Sequence, residues 1–374
     1  MASDSNRSYG PSPLGGRVGR VVTIGGGSGM PVVNRALIRA GCRRIWSIVT
    51  TFDSGGDTGR MRTDERGQIL AYSDYWRSLM SLWVDGEHRA AWEEMLRFRD
   101  DRGRSFGNTF LRFLADKTGG LRTVDSLFRD LTGARLAGEV VPVSLEPAQL
   151  CFRTASGRAY CGEHHLDELR MSDDRVEAIW LEPNVPANEE ALDALAQADL
   201  IVVGPGSLYG SMLVNFLPRG MRDAFVTSRA FKVLLTNIMS VANETGHCTQ
   251  HEYAACFARQ LGVPQPFDLV VVPDLAALDQ QALAQSQRYY ALEHAHPLTF
   301  DASAPGPYRL ADVALIEGRY GRLRHCEDKL SRFFRLLNLP NGKALAATWA
   351  EGTAVVTVDD VHGLADRSAA GGHR

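Results

Sequence analysis

The sequence predicts an α/β protein: a Rossmann-like, mostly parallel sheet with helices on both faces and a small β-rich insertion. Three observations carry this prediction. Val21–Ile24 is strand-like, runs into Gly25, Gly26, Gly27, Ser28 and Gly29, and is followed by a helical pattern that opens at Pro31. A second apolar strand, Ile45–Thr51, ends in another glycine-rich loop, TTFDSGGDTGRMR. Leu200–Val203 is continuously apolar, as a strand buried on both faces requires, and ends in GPGSLYGS before a further helical pattern. Strand–loop–helix–strand order implies parallel pairing.

The composition is that of an ordinary globular chain. Of 374 residues, 44% are hydrophobic and 23% charged, and the net charge of −3 gives no support for a nucleic-acid or membrane partner. The longest apolar runs, Leu200–Val203 and Leu269–Val272, are far too short to span a bilayer. The first twenty residues lack the apolar core of a signal peptide, and the six cysteines form no CxxC pair. A cytoplasmic location is expected. Residues 1–18 predict a disordered tail, 19–338 a single α/β nucleotide-binding domain with its β-rich insertion near 139–182, and 339–374 a C-terminal strand and tail.

In chain order, the first glycine loop is the most informative. Glycine allows positive φ and close approach of a ligand, and the next helix turns its free N–H groups and positive dipole end toward that ligand. Pro31 suits the first turn of that helix, and Gly41 suits its C-terminal cap. Met30 stands where a GxGxxG fingerprint needs its last glycine, and no Gly-Lys-Ser/Thr follows. An anion at a helix start and a bare strand–helix turn are both compatible with the loop. Asp53, at the end of the second strand, is placed to bind a ribose hydroxyl, a metal ion or a substrate hydroxyl; alternatively it closes an Asx-turn. Ser54, Gly55 and Gly56 follow it, and Arg60 and Arg62 offer fork geometry to phosphate.

Residues 64–118 read as helical. Asp74 suits an N-cap, with Leu79, Met80 and Leu82 on the buried side. Ser105–Asn108 opens a helix whose Gly107 and Asn108 could present N–H and amide groups to a ligand. Glu139–Leu145 and Gln149–Gly162 are strand-like. A symmetric hairpin turn near Ala155–Gly157 would set Cys151 opposite Cys161, and a reduced pair is expected there. His164 and His165 lie nearby, without normal zinc spacing. Val176–Leu181 is a strand, and Asn188 suits the N-cap of a helix over Asn188–Ala198. Lys232–Thr236, ending at Asn237, then Leu269–Val272 and Val313–Glu317 read as further strands. Cys326–Leu337 reads as an amphipathic helix and Ala354–Val358 as a last strand. His247, Cys248 and His251 are taken as surface or capping residues.

Taken together, the loops resemble one superfamily, that of the 2-phospho-L-lactate transferases and the gluconeogenesis-factor-like proteins. The matching pieces are IGGGSGMPVVNRAL, FDSGGDTGRMR, SFGN at Ser105–Asn108, ADLIVVGPGSLYGSMLVNFLPRGM, and NIM at Asn237–Met239 with Glu244 and Thr245 following. Each is weak alone; together, in order across residues 21–330, they are specific.

The resemblance implies a nucleotide or nucleotide-linked ligand of unknown base, held by Gly25–Gly29, Ser54–Gly56, Arg60, Gly107, Asn108, Asn237 and the loop Gly204, Pro205, Gly206, Ser207. In the transferase branch a phospholactyl-type group passes from a guanosine diphosphate-linked donor to a deazaflavin hydroxyl with magnesium, which would give Asp53 and Asp74 catalytic and metal-binding roles. In the factor branch a UDP-sugar or dinucleotide is bound in a regulatory role in central or cell-wall metabolism. A second copy of the chain, as a homodimer, is the only macromolecular partner expected. Ser54 stands where the superfamily has a second acidic residue, Ser73 where it has glycine, and Trp76 where it has arginine, with Arg77 one place later. The chain sits nearer the factor branch.

Overall fold

The computed structural model describes residues 19–54, 58, 70–84, 86–168, 174–246, 248–273, 275, 280–292, 294–300, 310–313, 316–319, 322–337 and 355–357. The expectations for Gly55, Gly56, Gly59, Arg60, Arg62, His247 and the tail 1–18 lie outside these residues.

An eight-stranded sheet forms the centre, and each of its strand pairs is parallel. Its strands are β1 (Val21–Gly25), β2 (Ile45–Val49), β3 (Gly138–Pro142), β7 (Leu200–Val203), β8 (Phe231–Leu235), β9 (Leu269–Pro273), β10 (Leu310–Val313) and β13 (Val355–Thr357). Between them the chain forms β4 (Gln149–Thr154), β5 (Ala159–Cys161), β6 (Val176–Glu182), β11 (Ile316–Arg319) and β12 (Arg322–His325).

Sequence periodicity explains the layering. In β7, Leu200 and Val202 pack into the core on one face while Ile201 and Val203 pack into the core on the other. β9 divides in the same way: Leu269 and Val271 go to one face, Val270 and Val272 to the other. Alternation of apolar residues on both faces needs a helical layer on each side. The first layer holds α1 (Met30–Arg39), α2 (Ser73–Leu82), α4 (Phe106–Thr118), α5 (Val124–Thr132) and α11 (Glu327–Leu336); α3 (Arg89–Arg97) packs beside α4. The second layer holds α7 (Glu189–Gln197), α8 (Met221–Thr227) and α9 (Gln250–Leu261). Two further helices complete the chain order, α6 (His164–Glu168) and α10 (Gln280–Leu292). α11 closes on α1, where Glu327 accepts from Arg35 and pairs with Arg39.

The strand order across the sheet is 3-2-1-7-8-9-10-13. The chain builds outward from β1 to β3, then returns to place β7 on the other side of β1. Strand order therefore reverses between β1 and β7, which opens a crevice at their carboxyl ends.

Several expectations are corrected. β3 pairs with β2 in the main sheet, so the insertion is the separate antiparallel sheet β5-β4-β6. Val313–Glu317 is not one strand: β10 ends at Val313 and the hairpin β11–β12 starts at Ile316. α5 follows the segment read as helical and was missed. Cys151 and Cys161 do face each other, but they are bonded as a disulfide, not a reduced pair, because the register of β4 on β5 brings their Cα atoms to 4.0 Å. The bond removes both thiols from any metal site with His164 and His165. Among the described residues no helix is long and apolar enough to cross a membrane.

Candidate functional site

At the crevice between β1 and β7 the loop after β1 and the loop after β7 lie side by side. The loop after β1 turns at Gly27 with φ +64°, a left-handed conformation that glycine adopts without strain. Ser28 stands exposed at its tip, and α1 begins two residues later, with Pro31 in its first turn. Gly41 follows α1 with φ +105°, as its capping role requires. The loop after β7 lies alongside: the Gly204 N–H donates to Ile24 O at 3.0 Å, and Gly29 packs against the Pro205 carbonyl.

The second loop is pinned by two residues from beyond β8. Asn237 accepts from the Gly206 N–H at 3.0 Å and donates its amide to the Gly206 carbonyl at 2.7 Å. Glu244, buried, accepts from Ser207 Oγ with both carboxylate oxygens, at 2.8 and 2.9 Å, and from the Tyr209 N–H. Ser207 Oγ in turn accepts from the Gly210 N–H and caps a wide single turn over Leu208–Met212. The helix expected after this loop is that turn followed by a tight 3-10 turn, Leu213–Phe216.

Asp74 ties the first loop to α2. Its Oδ1 accepts from the Gly27 N–H at 2.8 Å and from Arg77 at 3.2 Å. The N-cap reading of Asp74 is overturned: Tyr72 occupies the cap position, and Asp74 sits in the first turn with its carboxylate turned to the loop. Burial pushes the Asp74 carboxyl up to about 6, the Asp53 charge adds to this, and Arg77 and the Gly27 N–H pull the other way. The two predicted aspartates therefore converge closely enough for their charges to interact. Asp53 accepts from Ser73 Oγ at 2.6 Å, so the serine that replaces the superfamily glycine holds the first aspartate.

Gly107 and Asn108 stand in the first turn of α4, where Asn108 is buried and its N–H and amide bond inside the protein, not at an open surface. Ser105 is the N-cap, accepting from the Asn108 N–H. The Asn108 side chain accepts from Trp76 Nε1 and donates to Thr58 Oγ1, which links α2 and α4 to Thr58 beyond β2. Trp76 thus fills the superfamily's arginine position as a packing and positioning residue. A Cβ on Gly107 would stand 2.6 Å from Leu96 O, so only glycine fits there.

The insertion contributes residues that the sequence reading did not single out for this site. Ser54 Oγ bonds His164 Nδ1 at 3.0 Å and accepts from the His164 N–H, while the Ser54 N–H donates to Glu163 at 3.4 Å. Glu163 also reaches the position over Gly210. No local signal points to Glu163; its approach depends on how the three-stranded sheet folds back. Among the described residues no group of three or more His, Cys, Asp or Glu could hold a metal ion. Asp53 and Asp74 offer hard oxygen ligands of the kind magnesium takes.

The family model for 2-phospho-L-lactate transferase CofD matches residues 21–314. The chain belongs to the CofD family. A relative from Aquifex aeolicus (strain VF5), provisionally named gluconeogenesis factor, is 33% identical over 302 residues, covering 76% of this chain and 86% of the relative. The gluconeogenesis factor of Bacillus subtilis (strain 168) is 28% identical over 295 residues, covering 76% and 87%. The crystal structure of a UPF0052 family member from Bacillus halodurans superposes with a TM-score of 0.73 at 26% identity, covering 84% of this chain and 99% of that one.

Proposed function

We propose that this CofD-family chain binds a nucleotide or nucleotide sugar in the crevice between β1 and β7, as a regulator of the gluconeogenesis-factor type. The observation that carries this reading is the pair of glycine loops side by side where strand order reverses, each pinned by a carboxylate: the first by Asp74, the second by Glu244. Fixed loops keep backbone N–H groups oriented before a diphosphate arrives, so little ordering is needed on binding. A screen of nucleotides and nucleotide sugars by thermal shift, with and without magnesium, followed by calorimetry of the hits, tests it. A nucleotide that stabilises the chain and loses affinity in Gly27→Val supports the reading. No stabilisation by any nucleotide sinks it.

A second reading has one specific observation in its favour. Asp53 and Asp74 converge, and two like charges held together suit a divalent cation. In that reading the chain is a magnesium-dependent transferase moving a phospholactyl-like group from a nucleotide diphosphate-linked donor to an alcohol such as a deazaflavin hydroxyl. Magnesium, when bound, would neutralise charge on the diphosphate. Asp53 and Asp74 would hold it, and the glycine loops would orient the donor.

Asp53→Asn separates the two readings, because asparagine still accepts from Ser73. Loss of a charge-assisted ligand contact costs on the order of 1.5–3 kcal/mol, roughly ten- to a hundred-fold in affinity. A loss seen only with magnesium favours the transferase. An equal loss without magnesium favours a ligand hydroxyl on Asp53, and normal binding removes Asp53 from the site.

A further inference from the structure

A cavity of about 610 Å³ opens between α9 and β6, the edge strand of the small sheet. Small-molecule sites span about 300–1,000 Å³. No residue of Gly25–Gly29 or Gly204–Ser207 lines this one. Three arginines do: Arg153 from β4, Arg175 from the position before β6, and Arg259 from α9. Register places the first two. Arg153 stands opposite Ala178, and the Ala155 N–H donates to Arg175 O at 2.9 Å. The pairing shifts between Arg153 and Thr154 and leaves Glu177 without a partner on β4, a bulge of the kind that re-aims side chains. Tyr209 and Leu213, both buried, form an apolar wall, and Tyr209 Oη donates to Val176 O at 3.4 Å.

The protein does not neutralise these arginines. All three are exposed, and among the described residues none is in an ion pair. Asp174, the acidic neighbour of Arg175, is turned elsewhere: it accepts from the Ser156 N–H at 3.1 Å and Ser156 Oγ at 2.7 Å, and pairs with Arg158 at 3.7 Å. Two carboxylates share the cavity walls. Glu252 is engaged in the cap of α9, accepting from the Thr249 N–H at 2.7 Å and Thr249 Oγ1 at 3.0 Å. Glu177 pairs with none of the arginines. Arg259 Nη2 donates to Cys256 Sγ at 3.1 Å, which holds that guanidinium against the wall.

We propose that this cavity is a binding site for a small phosphate monoester, with Arg153, Arg175 and Arg259 around its phosphate. Guanidinium stays charged at any ordinary pH, and its planar fork matches the oxygens of phosphate. A monoester has three terminal oxygens to share among three forks, whereas a carboxylate has two. The organic body of the ligand lies along Tyr209 and Leu213, and a hydroxyl on it donates to Glu177. The site is separate from the crevice between β1 and β7 and stands whether or not that crevice takes a nucleotide.

Calorimetry on the full chain tests this with glucose 6-phosphate and glucose, a pair that differs only in the phosphate. Saturable binding of glucose 6-phosphate and none of glucose is expected. Arg153→Gln, Arg175→Gln and Arg259→Gln should each weaken it on the order of ten-fold, as the loss of one charge-assisted contact does. Chemical modification locates the site without any substitution. Glucose 6-phosphate should slow the reaction of phenylglyoxal with Arg153, Arg175 and Arg259 and leave Arg229, exposed and outside the cavity, reacting at its former rate. Absence of binding, equal binding of glucose, unchanged affinity in the three variants, or no protection of the three arginines would each overturn the proposal. Inorganic phosphate should displace the probe only at ten-fold or higher concentration; displacement at equal concentration would overturn the assignment to a monoester.

Discussion

Replacing Gly26 by alanine should break the fastening of the first glycine loop. An ideal Cβ at this position would stand 2.1 Å from Asp74 Oδ2 and 3.0 Å from its Cγ. The carboxylate is not the loose end of an exposed chain. It is 5% exposed, and its other oxygen already accepts from Gly27 and Arg77. The loop or the aspartate must therefore move, and the bond from the Gly27 N–H is lost. A hydrogen bond to a charged group contributes about 1.5–3 kcal/mol. The ion pair with Arg77, which is one-third exposed, adds less than about 1 kcal/mol after solvent screening. Release of Asp74 toward water offsets part of this by relieving its burial. The net loss expected is about 2 kcal/mol, read as a lower urea midpoint at unchanged slope.

The decisive measurement is the cycle with Asp74→Ala. Once the carboxylate is gone, the nearest remaining atom to the new methyl is Ser211 Oγ at 3.3 Å, which can shift by a few tenths of an ångström. Gly26→Ala should then cost much less, giving an interaction of about 1–2 kcal/mol between the two positions. Strict additivity, or a Gly26→Ala protein as stable as the parent, would refute the reasoning.

Three further outcomes follow from the same structure. Gly27→Ala meets only an ordinary contact, Ser211 Oγ at 3.7 Å, so its cost is conformational, about 1–2 kcal/mol for a side chain at φ +64°, and it should persist unchanged in the Asp74→Ala background; chemical denaturation checks both. Glu244→Gln leaves one acceptor where Ser207 and Tyr209 use two and should lower stability by about 1–3 kcal/mol, and an unchanged urea midpoint would show that the second loop is held by other contacts. Asp125 is buried, accepts from Tyr75 Oη and the Val140 N–H, and is pushed up by burial to about 6 from 3.8. The folded chain therefore holds a proton there that the unfolded chain releases, so stability from this group is full below about pH 4 and falls by on the order of 3 kcal/mol as pH rises through 6. Asp125→Asn should flatten that part of the stability–pH curve; an identical curve would mean that Asp125 is already ionised in the fold.

The sheet was legible because its signals are local. Leu200–Val203 and Leu269–Val272 are apolar at every position, and only a strand covered on both faces needs that. Glycine followed by Pro31 similarly marks a helix start whatever surrounds it. Polar residues inside the same layers were not legible. Thr23 and Ser47 on β1 and β2, Asn34 on α1, and Ser78 and Ser81 on α2 form one buried network, with Thr23 donating to Asn34 at 2.9 Å and Asn34 to Ser81 at 2.9 Å. Each residue alone reads as solvent-facing, and only the packing of four elements satisfies them together.

The site divides along the same line. The sequence by itself determined the two glycine loops, Asp53 at a strand end and the αβ order that brings strand ends to one edge, because backbone conformation and strand periodicity are written within a few neighbours; the local pattern around Asp74 reads only as a helix cap, and the family resemblance alone marks it for the site. Only the tertiary structure decided what those residues touch. Asp74 reaches Gly27 across 47 positions and Glu163 reaches Ser54 across 109. Such contacts depend on strand order and on how an inserted sheet folds back, and no local pattern encodes a distance between segments that meet only after the chain has closed on its core.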